Sequence, residues 1–154
     1  MTTPDTQRLE DFKVIGIAVT TTHAQALQDI GPLWGKFYGM DVSNRIPNKI
    51  SSDIYAVYTD YESDYLGAYT TIIGHKVSSL DDIPKGMVGK VISGGTFQPF
   101  VAKGEIPASI GATWQEIWAQ DKQLNRAYQA DFEVYGAKSH NGAASEVEIF
   151  VGIR

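Results

Sequence analysis

The segment Ala130-Asp131-Phe132-Glu133-Val134-Tyr135 holds the residues whose types and order say most about chemistry. In a strand, successive side chains alternate between faces. Asp131, Glu133 and Tyr135 therefore share one face, and Phe132 and Val134 the other. The apolar pair is expected to meet the helix carrying Trp114 and Ile117, leaving Glu133 facing away from it. Of the eight tyrosines, Tyr55, Tyr58, Tyr61, Tyr65 and Tyr69 cluster in one stretch. Tyrosine has a broad apolar face and a polar tip, which suits a lined cavity as well as strand packing. A carboxylate among aromatic faces is a cation receptor in outline. Each ring within about 6 Å of a cation contributes roughly 0.5–2 kcal/mol. A ligand cation would also offset the cost, several kcal/mol, of a desolvated carboxylate. The same pattern fits a solvated strand glutamate beside surface tyrosines.

Other chemistries find no support. There are no cysteines, which excludes disulfides, thiolate zinc sites and thiol catalysis. His23, His75 and His140 are far apart and form no metal-binding spacing. Ser93-Gly94-Gly95 lacks the glycine that opens a nucleophile elbow. Gly86-x-x-Gly89-Lys90 is too short for a phosphate loop, and Val91 stands where a magnesium-binding hydroxyl belongs. No catalytic residue, metal or cofactor is assigned.

The elements that must position Glu133 come from a chain of 154 residues, about one domain. Hydrophobic residues make up 43%, enough for a real core, so disorder is excluded. A net charge of −5 with scattered basic residues disfavours direct nucleic-acid or anionic-membrane binding. No signal peptide or membrane-length apolar run is read, and the expected location is the cytoplasm. Residues 1–9 read as a polar tail, and 10–154 as a single domain. Strands are expected at Phe12–Val19, Ile54–Tyr61, Leu66–Val77, Thr96–Lys103, Tyr128–Tyr135 and Glu146–Ile153. Thr20-Thr21-Thr22 offers hydroxyls to cap a helix striped by Leu27, Ile30, Trp34, Phe37 and Tyr38, with a kink expected at Gly31-Pro32. Glu62-Ser63-Asp64 reads as a turn. A second helix carries Ile110, Trp114, Ile117 and Trp118, with Pro107 at its first position.

The two halves can be laid over each other. Ile30-Gly31-x-x-Trp34-x-x-Phe37-Tyr38 matches Ile110-Gly111-x-x-Trp114-x-x-Ile117-Trp118. Ala56, Tyr58 and Tyr61 then align with Ala130, Phe132 and Tyr135, making Thr59 the counterpart of Glu133 on a face shared with Tyr55, Val57 and Tyr61. The fold class read from this is α+β: a duplicated β-α-β-β unit with pseudo-twofold symmetry. Repeat one spans about 10–77, a connector 78–94, and repeat two about 95–154. Such a duplication places a central cleft between the halves, a favoured ligand site.

The ordered motifs Ile30-x-x-x-Trp34-x-x-Phe37, Tyr55-x-x-Tyr58-x-x-Tyr61, Ile73-Gly74-x-x-Val77, Ile83-Pro84-x-Gly86-Met87, Phe97-x-x-Phe100-x-x-x-Gly104, Trp114-x-x-Ile117-Trp118 and Asp131-Phe132-Glu133-x-Tyr135 resemble the GyrI-like effector-binding domain, above all its standalone, integron-cassette type. Related domains follow the DNA-binding helices of AraC-type and MerR-type regulators. The resemblance implies a duplicated fold around a cleft and a buried glutamate, matching Glu133, that receives small lipophilic cations. Strand parity adds Tyr55, Tyr69, Phe97, Tyr135 and Phe150 as ligand contacts, and Trp114 joins them from the helix. The resemblance further implies a sequestering or sensing role, with a separate DNA-binding protein or gyrase as partner. It leaves open a hydrolase of strained electrophilic natural products using the same glutamate, or a gyrase-inhibitor-like protein-interaction module.

Overall fold

A computed structural model describes residues 6–63 and 66–154, apart from the side chain of Leu27. The start of the expected tail, Asp64 of the expected turn, Tyr65 and the Leu27 side chain lie outside the described residues. In chain order the strands are β1 (Gln7–Leu9), β2 (Phe12–Thr22), β3 (Ile54–Thr59), β4 (Ala68–Val77), β5 (Val88–Ile92), β6 (Gly95–Lys103), β7 (Arg126–Tyr135) and β8 (Glu146–Ile153). Helix α1 (Ala26–Gly39) and the short α2 (Val42–Arg45) follow β2, while α3 (Ala108–Ala119) and the short α4 (Asp121–Leu124) follow β6. All these strands join one antiparallel sheet in the order β1-β6-β8-β7-β3-β4-β2-β5, curled into a half-barrel. The class is α+β, as expected.

Both long helices cover the same face of the sheet, and the pairing register shows why. Ile73 lies opposite Ala56, Ala56 opposite Glu133, and Glu133 opposite Ile149, so these four residues project to one side. On that side Ile15, Ile17, Ala56 and Ile73 pack with Leu33 and Phe37 of α1. Ala102, Val147, Ile149 and Val151 pack with Ile110, Trp114 and Ile117 of α3. A separate core on the other face gathers Phe12, Val14, Val57, Ile72, Phe97, Phe132 and Phe150. Gly16 and Gly74 sit opposite each other on β2 and β4. A Cβ on Gly16 would lie 2.1 Å from the Ile73 carbonyl oxygen, so only glycine fits.

Several expectations are corrected. Phe132 and Val134 face away from α3, and Glu133 faces toward it, the reverse of the reading from polarity. Period-two alternation sorts residues into two sets but does not say which set a helix covers. The helix-free face is also a core, so apolar side chains were no guide. In the register Tyr58 lies opposite Asp131 and Val57 opposite Phe132. Aligning Tyr58 with Phe132 therefore equates residues on opposite faces, and Thr59 is not the counterpart of Glu133; a slip of one residue inverts every side chain.

The threonine run continues β2 instead of capping α1, whose N-cap is Gln25. Thr21 still serves the helix start, since its hydroxyl donates to Asp29 at 2.7 Å. Pro32 lies inside α1 without ending it. It is exposed, as is Gln28, so the carbonyl it leaves without a partner faces water. Gln7–Leu9, expected in the tail, pairs with β6, and the connector contains β5, paired with β2.

Candidate functional site

A cavity of about 640 Å³ lies between α1 and α3, floored by the central strands β3 and β7. Helix α1 presents Ile30, Trp34 and Tyr38 to it, and α3 presents Ile110, Trp114 and Trp118. The sheet contributes Tyr58, Tyr69, Arg126, Glu133 and Tyr135, and the segment after β3 adds Tyr61. The rings contact one another edge to face: Tyr58 meets Trp114 with centroids 5.6 Å apart, and Trp34 meets Tyr135 at 5.0 Å. Such packing orients each ring and leaves faces turned to the void.

Glu133 stands in the wall near the C-terminal end of β7, beside the small Ala56, and is only 1% exposed. Its Oε2 accepts hydrogen bonds from the Tyr58 hydroxyl at 2.9 Å and the Trp114 indole N–H at 2.6 Å. Its Oε1 accepts from the Tyr135 hydroxyl at 2.6 Å. Among the described residues no cationic side chain pairs with it. Burial pushes the Glu133 carboxyl up from the usual carboxylate range, while the donors from Tyr135, Trp114 and Tyr58 pull the other way. Burial and the nearby carboxylate push the hydroxyls of Tyr58 and Tyr135 well above the ordinary phenol value, so both stay protonated donors.

A second buried acid, Asp131, lies two residues earlier on the same face. Its Oδ2 accepts from an Arg126 guanidinium nitrogen at 2.6 Å and from the Tyr61 hydroxyl, and its Oδ1 from the Gly152 N–H at 2.8 Å. Arg126 also reaches Asp121 at 3.2 Å, and Tyr128 donates to the same Asp121. The guanidinium lies 4.6 Å from the Tyr128 ring centroid and 5.9 Å from that of Trp114. Burial opposes the charge of Arg126, but Asp131 and the surrounding hydroxyls outweigh it and keep the side chain charged. The backbone makes this possible through a bulge. Pairing of β7 with β8 breaks between Arg126 and Asp131, and Tyr128 there takes a left-handed φ of 53°.

Of the residues expected to meet a ligand, Glu133, Tyr135, Trp114 and Tyr69 come together in this cavity. Tyr55, Phe97 and Phe150 do not. Phe97 and Phe150 are 3% and 8% exposed in the core of the opposite face, packed against Phe132. Tyr55 stacks on that same Phe132 and borders a separate hollow on the helix-free side. Tyr55 lies opposite Val134 and Phe150 opposite Phe132, on the face away from Glu133, because parity within one strand does not say which of its faces continues that of the next. Tyr58, Trp34 and Arg126 were missed. Trp34 was legible, since it matches Trp114 in the aligned helices; Tyr58 needed the β3–β7 register. His75 is sequestered under α1, with Nε2 at 2.6 Å from the Ser43 hydroxyl and Nδ1 at 2.8 Å from the Asp53 carbonyl. Burial pushes its pKa down. Among the described residues no cluster of three or more His, Cys, Asp or Glu could hold a metal, and no helix is long and apolar enough to cross a membrane.

Residues 7–153 match the family described as Cass2, integron-associated effector binding protein, and the chain belongs to that family. It is 28% identical over 145 residues to the "Putative transcriptional regulator protein YobU" of Bacillus subtilis (strain 168), covering 90% of each chain. It is similar to the integron cassette protein VCH_CASS2 from the mobile metagenome of Vibrio cholerae, with 31% identity, a TM-score of 0.75, and coverage of 97% of this chain and 95% of that one. The fold also matches SAV2435, solved bound to tetraphenylphosphonium, with a TM-score of 0.83, 20% identity, and coverage of 99% and 94%.

Proposed function

We propose that this effector-binding protein takes lipophilic organic cations into the cavity between α1 and α3, with Glu133 as the counter-charge. One observation carries the reading: a carboxylate 1% exposed, held by three neutral donors, in the wall of an aromatic cavity. Hydrogen bonds stabilise a buried anion only in part, and the remaining desolvation cost is several kcal/mol. A cation against the rings lowers that cost; a neutral molecule of the same shape does not. The ring faces of Trp34, Trp114, Trp118 and Tyr69 add dispersion and cation–π attraction. That SAV2435 shares this fold and holds tetraphenylphosphonium supports the same ligand class here.

The role we infer is sequestering or sensing such molecules, with any DNA contact made by a separate partner. The net charge of −5 argues against phosphate binding by this chain itself. The sheet order also supports an origin by duplication. From its centre outward it reads β3-β4-β2 on one side and β7-β8-β6 on the other, each a strand-helix-strand-strand unit with its helix on the same face.

Calorimetry with methyltriphenylphosphonium and its neutral near-isostere triphenylphosphine oxide tests the reading. The wild type should bind the cation much more tightly. Glu133→Gln should lose about 2–4 kcal/mol for the cation, as when one partner of a buried charge pair is removed, and little for the oxide. The glutamine oxygen can still accept from Tyr58 and Trp114, so the pocket keeps its shape. Unchanged cation affinity in Glu133→Gln would overturn the proposal. A raised carboxyl pKa beside two hydroxyls also suits acid–base chemistry on an electrophile. In that reading Glu133→Gln keeps binding and stops turnover.

A further inference from the structure

We propose that the cavity selects cations by how few N–H bonds they carry, favouring quaternary and charge-delocalised ions over primary ammonium, and that the Tyr135 hydroxyl sets this preference. The inference rests on the cation reading above and adds the ligand's donor count to it.

An ionised carboxylate offers about four lone-pair sites. Three are taken on Glu133: two on Oε2, by Tyr58 and Trp114, and one on Oε1, by Tyr135. The nearby Asp131 has no better offer, since Arg126, Tyr61 and the Gly152 N–H already hold it. Glu133 lies in the cavity wall but is only 1% exposed, and the rings that donate to it form most of the wall around it. A bound cation therefore meets ring faces first and feels the carboxylate across them. A ring whose N–H or O–H donates to an anion carries more electron density, because hydrogen bonds in a low-dielectric site polarise their partners.

These walls suit an ion that asks for no hydrogen bonds. A primary ammonium is compact, strongly hydrated and has three donors. Entering, it would give up its water and find at most one open carboxylate position, on Oε1, so its other N–H groups exchange strong bonds to water for weaker ones to neutral hydroxyls or none, a costly outcome for a buried charged donor. A quaternary ion has no such donors and forfeits little. Removing the Tyr135 hydroxyl empties a second position on Oε1 and should admit ammonium donors.

The test uses 4-phenylbenzylamine and its N-methyl, N,N-dimethyl and N,N,N-trimethyl forms, all charged at pH 7, titrated calorimetrically into the full chain. Wild type should favour the trimethyl over the primary ion by roughly 30-fold or more, the scale of two unmet hydrogen bonds. Added methyl groups contribute apolar burial too, but equally in every protein, so the change in ratio isolates the donor effect. In Tyr135→Phe the ratio should shrink by about tenfold, the worth of one hydrogen bond to a charged group. Tyr58→Phe, which frees a position on Oε2, should shrink it in the same direction and serves if Tyr135→Phe does not fold. Equal affinity across the series in wild type, or a ratio unmoved in every folded variant, overturns the selectivity claim while leaving cation binding standing. If no member binds at all, the cation reading falls and this inference with it.

Discussion

Asp131 and Glu133 stand two residues apart on β7, point to the same face and are both buried, yet the protein treats them in opposite ways. Asp131 is given its own cation, Arg126, together with the Tyr61 hydroxyl and the Gly152 N–H. Glu133 is given hydroxyls and an indole but no positive charge among the described residues. A buried acid with an internal cation is complete and holds structure. A buried acid surrounded only by neutral donors keeps its charge uncompensated, and this one borders the aromatic cavity. The bulge at Tyr128 sharpens the contrast, because it folds β7 back to supply Arg126 to one carboxylate only.

The largest test of this contrast is stability. Asp131→Asn leaves Arg126 buried with one charge removed from its side, and should cost about 3–5 kcal/mol in chemical denaturation. Glu133→Gln should cost nothing near pH 7 or even stabilise. The sign follows from the raised carboxyl of Glu133. Its folded pKa lies above the unfolded value, so the native state holds the proton more tightly. Its contribution to stability is fully present below the unfolded pKa and is lost as pH rises through the folded one, and Glu133→Gln should flatten that decline. Equal losses from the two substitutions would erase the distinction between the acids. A smaller effect separates charge from hydroxyl at Asp131. Tyr61→Phe removes one donor but leaves Arg126 in place, and should cost roughly 1.5–3 kcal/mol, less than Asp131→Asn. A loss as large as that of Asp131→Asn would mean that the hydroxyl, not the guanidinium, holds the acid.

The α+β class, most strand positions and both tryptophan helices are legible in the sequence, because alternation and three-to-four spacing are local signals; alternation alone leaves Glu133 equally readable as a solvated strand residue, and only the family resemblance implies its burial. What was not legible depended on pairing between distant strands. Parity alone sends Tyr55, Phe97 and Phe150 to the cleft, because it cannot name the face a helix will cover and this sheet buries apolar side chains on both faces. Tyr58 was passed over because its approach to Glu133 depends on the β3–β7 register, between residues far apart in the chain. The partnership of Arg126 with Asp131 was hidden by the bulge, which breaks the regular alternation on which strand reading relies. Strand β5 was absorbed into a connector, since Gly89 interrupts it; that glycine leaves room for Ile83, which a Cβ would meet at 2.6 Å.

The central claim is that a bound cation interacts with the ionised form of Glu133, and carbon-detected NMR of its side-chain carboxyl, titrated with and without saturating tetraphenylphosphonium, tests it most directly. Linkage requires a ligand that favours the carboxylate to lower its pKa, and requires ligand affinity to weaken as pH falls through the pKa of the free protein. The account predicts a carboxyl that titrates above the usual range in the free protein and moves clearly downward in the complex. A Glu133 signal that titrates at the same pH with and without the cation would contradict it.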